Sequence, residues 1–226
     1  MTFATLTGEQ SRRLDRLAME EYGMMGLVLM ENAGRGAVDV LCREEIDGPV
    51  VICCGRGNNA GDGFVMARHL DLRGYDVRVL AWAKLDELRG DAAANFKILQ
   101  KTDVPITVYG HDFDLARLDN EFATAAWLVD ALLGTGARGE PRAPFDTVIE
   151  RINASAKPVL AVDLPSGLEC DTGRPASQTV RAKITCTFAA AKTGLIMPQA
   201  EPFVGQVHVV DIGAPRKLIE RMLGER

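Results

Sequence analysis

The chain has 226 residues, 47% hydrophobic and 25% charged, a balance ordinary for a soluble globular protein and sufficient for a core without disulfides or structural metal. Its net charge of −5 argues against nonspecific nucleic-acid binding, since the densest basic cluster, Arg12, Arg13 and Arg16, is interleaved with Asp15 and followed by Glu20 and Glu21. No apolar stretch approaches the ~20 residues needed to cross a bilayer, no hydrophobic signal core opens the chain, and the five cysteines (Cys42, Cys53, Cys54, Cys170, Cys186) show no ligand spacing, which predicts reduced, buried thiols in a cytoplasmic protein rather than a secreted or membrane-bound one.

Thr7 to Gln10 (TGEQ) fits a capping box, and the helix it opens should run to about Tyr22 with Leu14 and Leu17 on its inner face. A second helix is expected around residues 27–43, containing MENAGRG, where Gly34 and Gly36 weaken an isolated helix but permit close packing against another element. From residue 50 the pattern changes to short Val- and Ile-rich runs: VVICC (50–54), VRVLAW (77–82), ITVY (106–109), WLVDAL (127–132), VLAVDL (159–164), ITCTFA (184–189) and VHVVDI (207–212). Continuous apolar runs suit strands buried on both faces. The segments between them, such as FVMARHLDLRG and DTVIERINAS, have helical spacing. Strand and helix in alternation predict an α/β fold, a mostly parallel sheet covered on both faces with right-handed crossovers. No linker-like stretch divides the chain, so residues 1–226 are expected to form one domain with a two-helix amino-terminal extension and a short terminal helix over the last 14 or so residues.

Ligands of an open parallel sheet bind beyond the carboxyl ends of its strands, and three of these strands end in unusual loops. The first, GRGNNAGDG (55–63), has four glycines, and the helix FVMARHL behind it offers a positive amino-terminal end suited to phosphate. It lacks the GK[ST] of an ATP-cradling P-loop. Gly55, Gly57 and Ala60 satisfy a relaxed GxGxxA dinucleotide fingerprint, but the acid expected near the end of the next strand is absent from VLAWAK, which weighs against a dehydrogenase. The alternative for this loop is a tight turn with Asp62 as a helix cap. The second loop, DALLGTGARGEPRAPF (130–145), carries Arg138 and Arg142, suited to phosphates or simply to solvent. In the third, VDLPSGLECDTG (162–173), Asp163 sits where strand meets loop, a reasonable place for an acid or base or for a turn-capping carboxylate. Lys192, in FAAAKTG, points either at the same cleft or into solvent, and the three histidines form no ligand pair or triad.

Taken in order, LMENAGRG (29–36), CGRGNNAGDGFVMARHL (54–70), GDAAANF (90–96), VDALLGTG (129–136), AVDLPSGLECDTG (161–173), TFAAAKTGL (187–195) and GQVHVVDIGAP (205–215) resemble the NAD(P)H-hydrate epimerase family, also called the YjeF N-terminal domain. The likeness covers nearly the whole chain and departs where Ala60 stands for a second glycine. It implies a Rossmann-like three-layer α/β/α fold and an isomerase of nicotinamide-cofactor repair, interconverting the R and S epimers of NADHX and NADPHX at C6 of the hydrated ring. It implies substrate contacts by Asn58, Asn59, Ala60, Gly61 and Asp62, and by Gly134, Thr135, Gly136, Ala137, Arg138, Gly139 and Glu140. Asp163 corresponds to the family's substrate-binding and catalytic aspartate, and Asn59, Asp130 and Ser166 to its potassium ligands, oxygen donors suited to a hard monovalent cation. Lys192 matches the family's downstream lysine, a further candidate for substrate contact. A carboxylic acid that protonates the departing hydroxyl near neutral pH needs a raised pKa. The resemblance also implies a homodimer, with the amino-terminal helices as candidate interface, and a functional partnership with a dehydratase carried on a separate protein. The competing expectations are an oxidoreductase and a non-catalytic binding module of the same fold. The latter predicts a degraded site, whereas Asn59, Asp62, Asp130, Asp163 and Ser166 are all present.

Overall fold

The computed structural model describes residues 4–84 and 86–224. The first half of the chain forms β1 (Thr5–Leu6), α1 (Gly8–Tyr22), α2 (Gly26–Leu41), β2 (Val50–Cys54), α3 (Asn58–Leu72), β3 (Val77–Ala81), α4 (Gly90–Leu99) and β4 (Ile106–Val108). The second half forms α5 (Leu115–Thr124), β5 (Trp127–Ala131), α6 (Phe145–Ala154), β6 (Val159–Val162), β7 (Ile184–Phe188), β8 (Ala191–Lys192), two 3₁₀ turns, α7 (Glu201–Val204), β9 (Gln206–Val210) and α8 (Arg216–Gly224). The last two residues of the expected terminal helix lie outside the described residues.

All seven apolar runs become strands of one sheet, ordered β4-β3-β2-β5-β6-β7-β9, and every neighbouring pair is parallel. Alternation along β2 shows why a continuous run was needed. Val50, Ile52 and Cys54 enter the core beneath α2, α3 and α4, while Val51 and Cys53 enter the core on the other face with Leu118 and Phe122 of α5 and Val148, Ile149 and Ile152 of α6. The result is the expected three-layer arrangement. From β2 the chain steps outward to β3 and β4, then returns to β5 on the other side of β2, so the loops after β2 and β5 part company at a switch point. The five cysteines are free thiols, four buried and Cys42 half-buried.

Helix α1 starts as its sequence predicts. The Thr7 hydroxyl accepts from the Gln10 N–H at 3.1 Å, and Gln10 Oε1 accepts from the Thr7 N–H at 2.9 Å. Leu14 and Ala18 are buried against Leu29 and Ala33 of α2 and Leu218 and Met222 of α8. The close packing expected of Gly34 and Gly36 is present: a Cβ on Gly34 would meet the Val65 side chain of α3 at 2.5 Å and the Asp62 carbonyl oxygen at 2.8 Å, and one on Gly36 would meet Val210 of β9 at 2.3 Å.

Two local expectations change. The glycine-rich loop is shorter than its composition suggests, because α3 begins at Asn58 and only Gly55–Gly57 link strand to helix. Gly57 takes the extended N-cap conformation, and the cost of helical glycines, about 1 kcal/mol each, is offset by burial of Ala60, Phe64, Val65, Met66, Ala67 and Leu70. Asp62 is therefore the fifth residue of the helix and no cap. No helix forms between β6 and β7. Pro165, Gly167, Gly173 and Pro175 disfavour one there, and Leu164, Leu168 and Cys170 of the segment instead pack with Leu195, Ala200 and Val204, from after β8, in a small separate core.

Candidate active site

A cavity of about 450 Å³ opens at the carboxyl edge of the sheet, over the switch point. Its floor comes from the turns after β2, β5 and β6 and from Lys192 at the end of β8. Its wall is α1, where Ser11, Asp15 and Met19 recur every four residues along one helical face. Helix α1 is tied to that edge in three ways: β1 pairs in parallel with β8, Leu6 opposite Lys192; the Gly8 N–H donates to Asp171 at 2.6 Å; and Arg12 donates to the Thr135 carbonyl at 3.0 Å. The first turn of α3 faces the same space with Asn58 and Asn59, whose N–H groups lack acceptors within the helix and carry its positive end.

Beneath this floor Asp130 is wholly buried in mid-sheet, and three donors hold its carboxylate: the Ser166 N–H at 2.7 Å, the Ser166 hydroxyl at 2.6 Å and the Leu132 N–H at 3.2 Å. Burial nevertheless pushes its pKa up to about 6, against those hydrogen bonds. Asn59 leans across the same spot, its amide NH₂ donating to the Leu133 carbonyl at 3.2 Å and its Oδ1 buried with no partner. Asn59, Asp130 and Ser166, the three implied cation ligands, thus converge around the loop after β5.

Asp163 stands at the tip of β6 with φ +68°, a left-handed backbone rare outside glycine, asparagine and aspartate. Its Oδ1 lies 2.8 Å from Lys192 Nζ, and Thr187 donates to it at 3.4 Å. Lys192 is almost fully buried and also donates to the Phe188 carbonyl at 3.0 Å, so its position beside Asp163 is fixed. Three further carboxyls line the cavity, Asp15, Asp62 and Asp91, and the first two interact with the Asp163–Lys192 pair. Asp62 is buried, and desolvation, reinforced by Asp163 and Asp15, raises its pKa well above the carboxylate range despite Lys192. Asp15 is open to solvent through the cavity but crowded by protein, which raises its pKa to about 6; Lys192 lowers and Asp163 raises it further. Three carboxyls, Asp15, Asp62 and Asp163, therefore surround Lys192, and burial shifts the first two toward the neutral form.

Of the residues singled out in the sequence, Asn58, Asn59, Asp62, Gly134, Thr135, Gly136, Ala137, Asp163 and Lys192 line the main cavity together. Ala60 and Gly61 do not; Ala60 turns into the core, where its methyl group is accommodated. Arg138, Gly139 and Glu140 line a second cavity of about 240 Å³ that meets the first along Leu133, Gly134 and Ala137. There Glu140 accepts from the Ser177 hydroxyl at 2.5 Å and N–H at 2.9 Å, which holds its carboxyl below the usual range. Arg142 is exposed and lines neither. His69 pairs with Glu31 at 2.8 Å, away from the site. Asp15 and Arg56 line the cavity without having been singled out.

Comparison with known proteins places these features in a family. Residues 26–194 match the family described as YjeF-related protein N-terminus. A protein of Pirellula staleyi named NAD(P)H-hydrate epimerase is 46% identical over 94% of this chain and 94% of its own length. One of the same name from Rhodopirellula baltica is 44% identical over 96% and 87%. The bifunctional NAD(P)H-hydrate repair enzyme Nnr of Moorella thermoacetica is 40% identical over 95% of this chain, which spans 41% of that longer protein. Among solved structures, the crystal structure of the yeast protein ynu0 (YNL200c) superposes with a TM-score of 0.81, at 22% identity over 96% of this chain and 93% of that one, a likeness of fold.

Proposed function

The chain belongs to the YjeF-related N-terminus family, and on that premise we propose that it is an NAD(P)H-hydrate epimerase, an isomerase that interconverts the R and S forms of NADHX and NADPHX. One observation carries the assignment to this fold's chemistry: Asp163, ion-paired with buried Lys192, shares a single cavity with the free amino-terminal end of α3. The N–H groups of Asn58 and Asn59, with the backbone of Gly134–Ala137 across the switch point, suit the pyrophosphate of a dinucleotide. Carboxyls at the cavity floor suit the hydrated ring. The ring's C6 hydroxyl neighbours a nitrogen, so protonation of the hydroxyl releases water and the nitrogen lone pair stabilises the cation. Water returning to the opposite face gives the other epimer without net oxidation. Asp163 handles a proton in that exchange, and Lys192, 2.8 Å away, fixes its orientation.

The residues present fit a potassium ion. Asn59 Oδ1 is a buried acceptor without a partner, a costly state that a cation relieves. The donor set is one amide oxygen, one carboxylate and one hydroxyl, and among the described residues no cluster of three or more His, Cys, Asp or Glu side chains forms, so the set carries one negative charge and suits a monovalent ion better than a divalent one. When bound, the ion neutralises Asp130 and stiffens the loop after β5 against the first turn of α3. We infer further that the protein works in the cytoplasm as a homodimer, and that a dehydratase acting on one epimer is its functional partner. Among the described residues no helix is long and apolar enough to cross a membrane.

The oxidoreductase alternative finds no support at β3, whose end, Leu80–Ala83, is buried and apolar where a ribose-binding acid is required. The test is direct. Purified protein mixed with one isolated epimer of NADHX, with and without potassium, should generate the other epimer by chromatography with no change in redox state. A protein that leaves each epimer unchanged is no epimerase.

A further inference from the structure

We propose that Asp15, on α1, is a second proton-carrying residue of the epimerisation and serves the face of the nicotinamide ring that Asp163 does not. The inference rests on the activity proposed above. Epimerisation at C6 passes through a planar cation: hydroxyl leaves one face and water arrives at the other. An acid on the first face gives its proton to the hydroxyl, the C6–O bond breaks and water departs. Water on the second face forms the new C6–O bond, and its surplus proton passes to a carboxylate there. No electrons are gained or lost, and one proton moves from one carboxyl to the other in each turnover.

Asp163 cannot serve both faces. It sits on the sheet edge in a fixed left-handed backbone, its carboxylate held by Lys192, which is itself anchored to the Phe188 carbonyl. The second group has to come from another element, and α1 is the wall facing that edge. Three polar side chains of α1 line the cavity: Ser11, Arg12 and Asp15. Arg12 is committed to the Thr135 carbonyl, and a serine hydroxyl neither gives nor holds a proton near neutral pH. Asp15 remains, positioned by Leu14 and Ala18 buried on the helix face beside it and by the pairing of β1 with β8. Crowding by protein raises its pKa, Lys192 lowers it and Asp163 raises it again, and it in turn acts on Asp62. With its pKa raised to about 6, Asp15 supplies both protonation states at neutral pH. Asp62 is the less suitable carrier: it is buried in α3, and desolvation holds its pKa well above the carboxylate range.

The experiment uses the full chain, Asp15→Asn and Asp15→Glu, assayed with each isolated epimer of NADHX in ¹⁸O-water. Wild type should epimerise and incorporate label from either epimer. D15N should lose epimerisation by about 10²-fold or more, while Asp163 still exchanges the C6 oxygen of one epimer with retention. D15E, which keeps the carboxyl, should recover part of the epimerisation with a displaced pH profile. D15N that epimerises within a few-fold of wild type overturns the assignment of Asp15 alone, as does D15N that loses label exchange from both epimers. A wild-type chain that epimerises neither form overturns the activity itself, and this assignment with it.

Discussion

At the scale of single residues, the site turns on carboxyls whose surroundings differ. Asp163 has an ammonium at 2.8 Å, Asp62 has burial and two acidic neighbours, and Asp15 lies between these cases. Asp163→Asn should abolish epimerisation, by 10²-fold or more, yet leave the fold standing, because asparagine tolerates the left-handed backbone that aspartate occupies there. Steady-state turnover together with thermal unfolding of the variant checks both halves. Asp163 was legible in the sequence because it ends an apolar run at a Pro- and Gly-sharpened turn. Lys192 was half-legible, since FAAAKTG does not say which way the lysine points; the structure buries it against Asp163. Asp15 was not legible, hidden among Arg12, Arg13 and Arg16 on a helix that looks solvated. The one signal was spacing: Ser11, Asp15 and Met19 fall on one stripe, but only the tertiary placement of α1 shows that the stripe meets a cavity.

Among elements, the seven strands were readable because burial on both faces demands uninterrupted Val, Ile, Leu and Ala, and that demand survives without any knowledge of partners. The short pairing of β1 with β8 was not, since two residues carry no period. The start of α3 was misjudged for a physical reason: four glycines in nine residues look like a loop, and only packing against neighbouring helices and strands offsets their helical cost. The contact of α2 with α3 through Gly34 yields a prediction at this scale. Gly34→Ala places a methyl group against Val65 and the Asp62 carbonyl, so the helices must separate. Urea unfolding should register a loss of about 1–3 kcal/mol, and the displaced first turns of α3 should raise KM for the hydrated cofactor. The other fastening, the Asp171 carboxylate on the Gly8 N–H, both caps α1 and complements its dipole. Asp171→Ala should cost about 1 kcal/mol, read by the same urea titration.

For the whole molecule, the proposed cation binding and pH should be linked through Asp130. Its folded pKa of about 6 exceeds the usual 3.8, so the folded state holds a proton that the unfolded chain has released. Its contribution to stability therefore falls as pH rises from about 4 to about 6 and is flat above. A potassium ion beside Asp130 favours the ionised form and should return that loss. Unfolding temperatures measured in potassium chloride and in tetramethylammonium chloride should differ more at pH 7.5 than at pH 5; an equal difference at both pH values would separate the ion from Asp130.

The parallel pairing of Leu6 with Lys192 joins opposite ends of the sequence order. On the ribosome, then, the first helix leaves the exit tunnel early but has no seat until the eighth strand emerges behind it. Until that moment its oily stripe of Leu14 and Ala18 has only Leu29 and Ala33 of α2 against it, without Leu218 and Met222 of α8, and Asp15 faces no cavity. Synthesis delivers the scaffold first and the reactive pocket last, which makes truncated translation products folded in part but chemically inert.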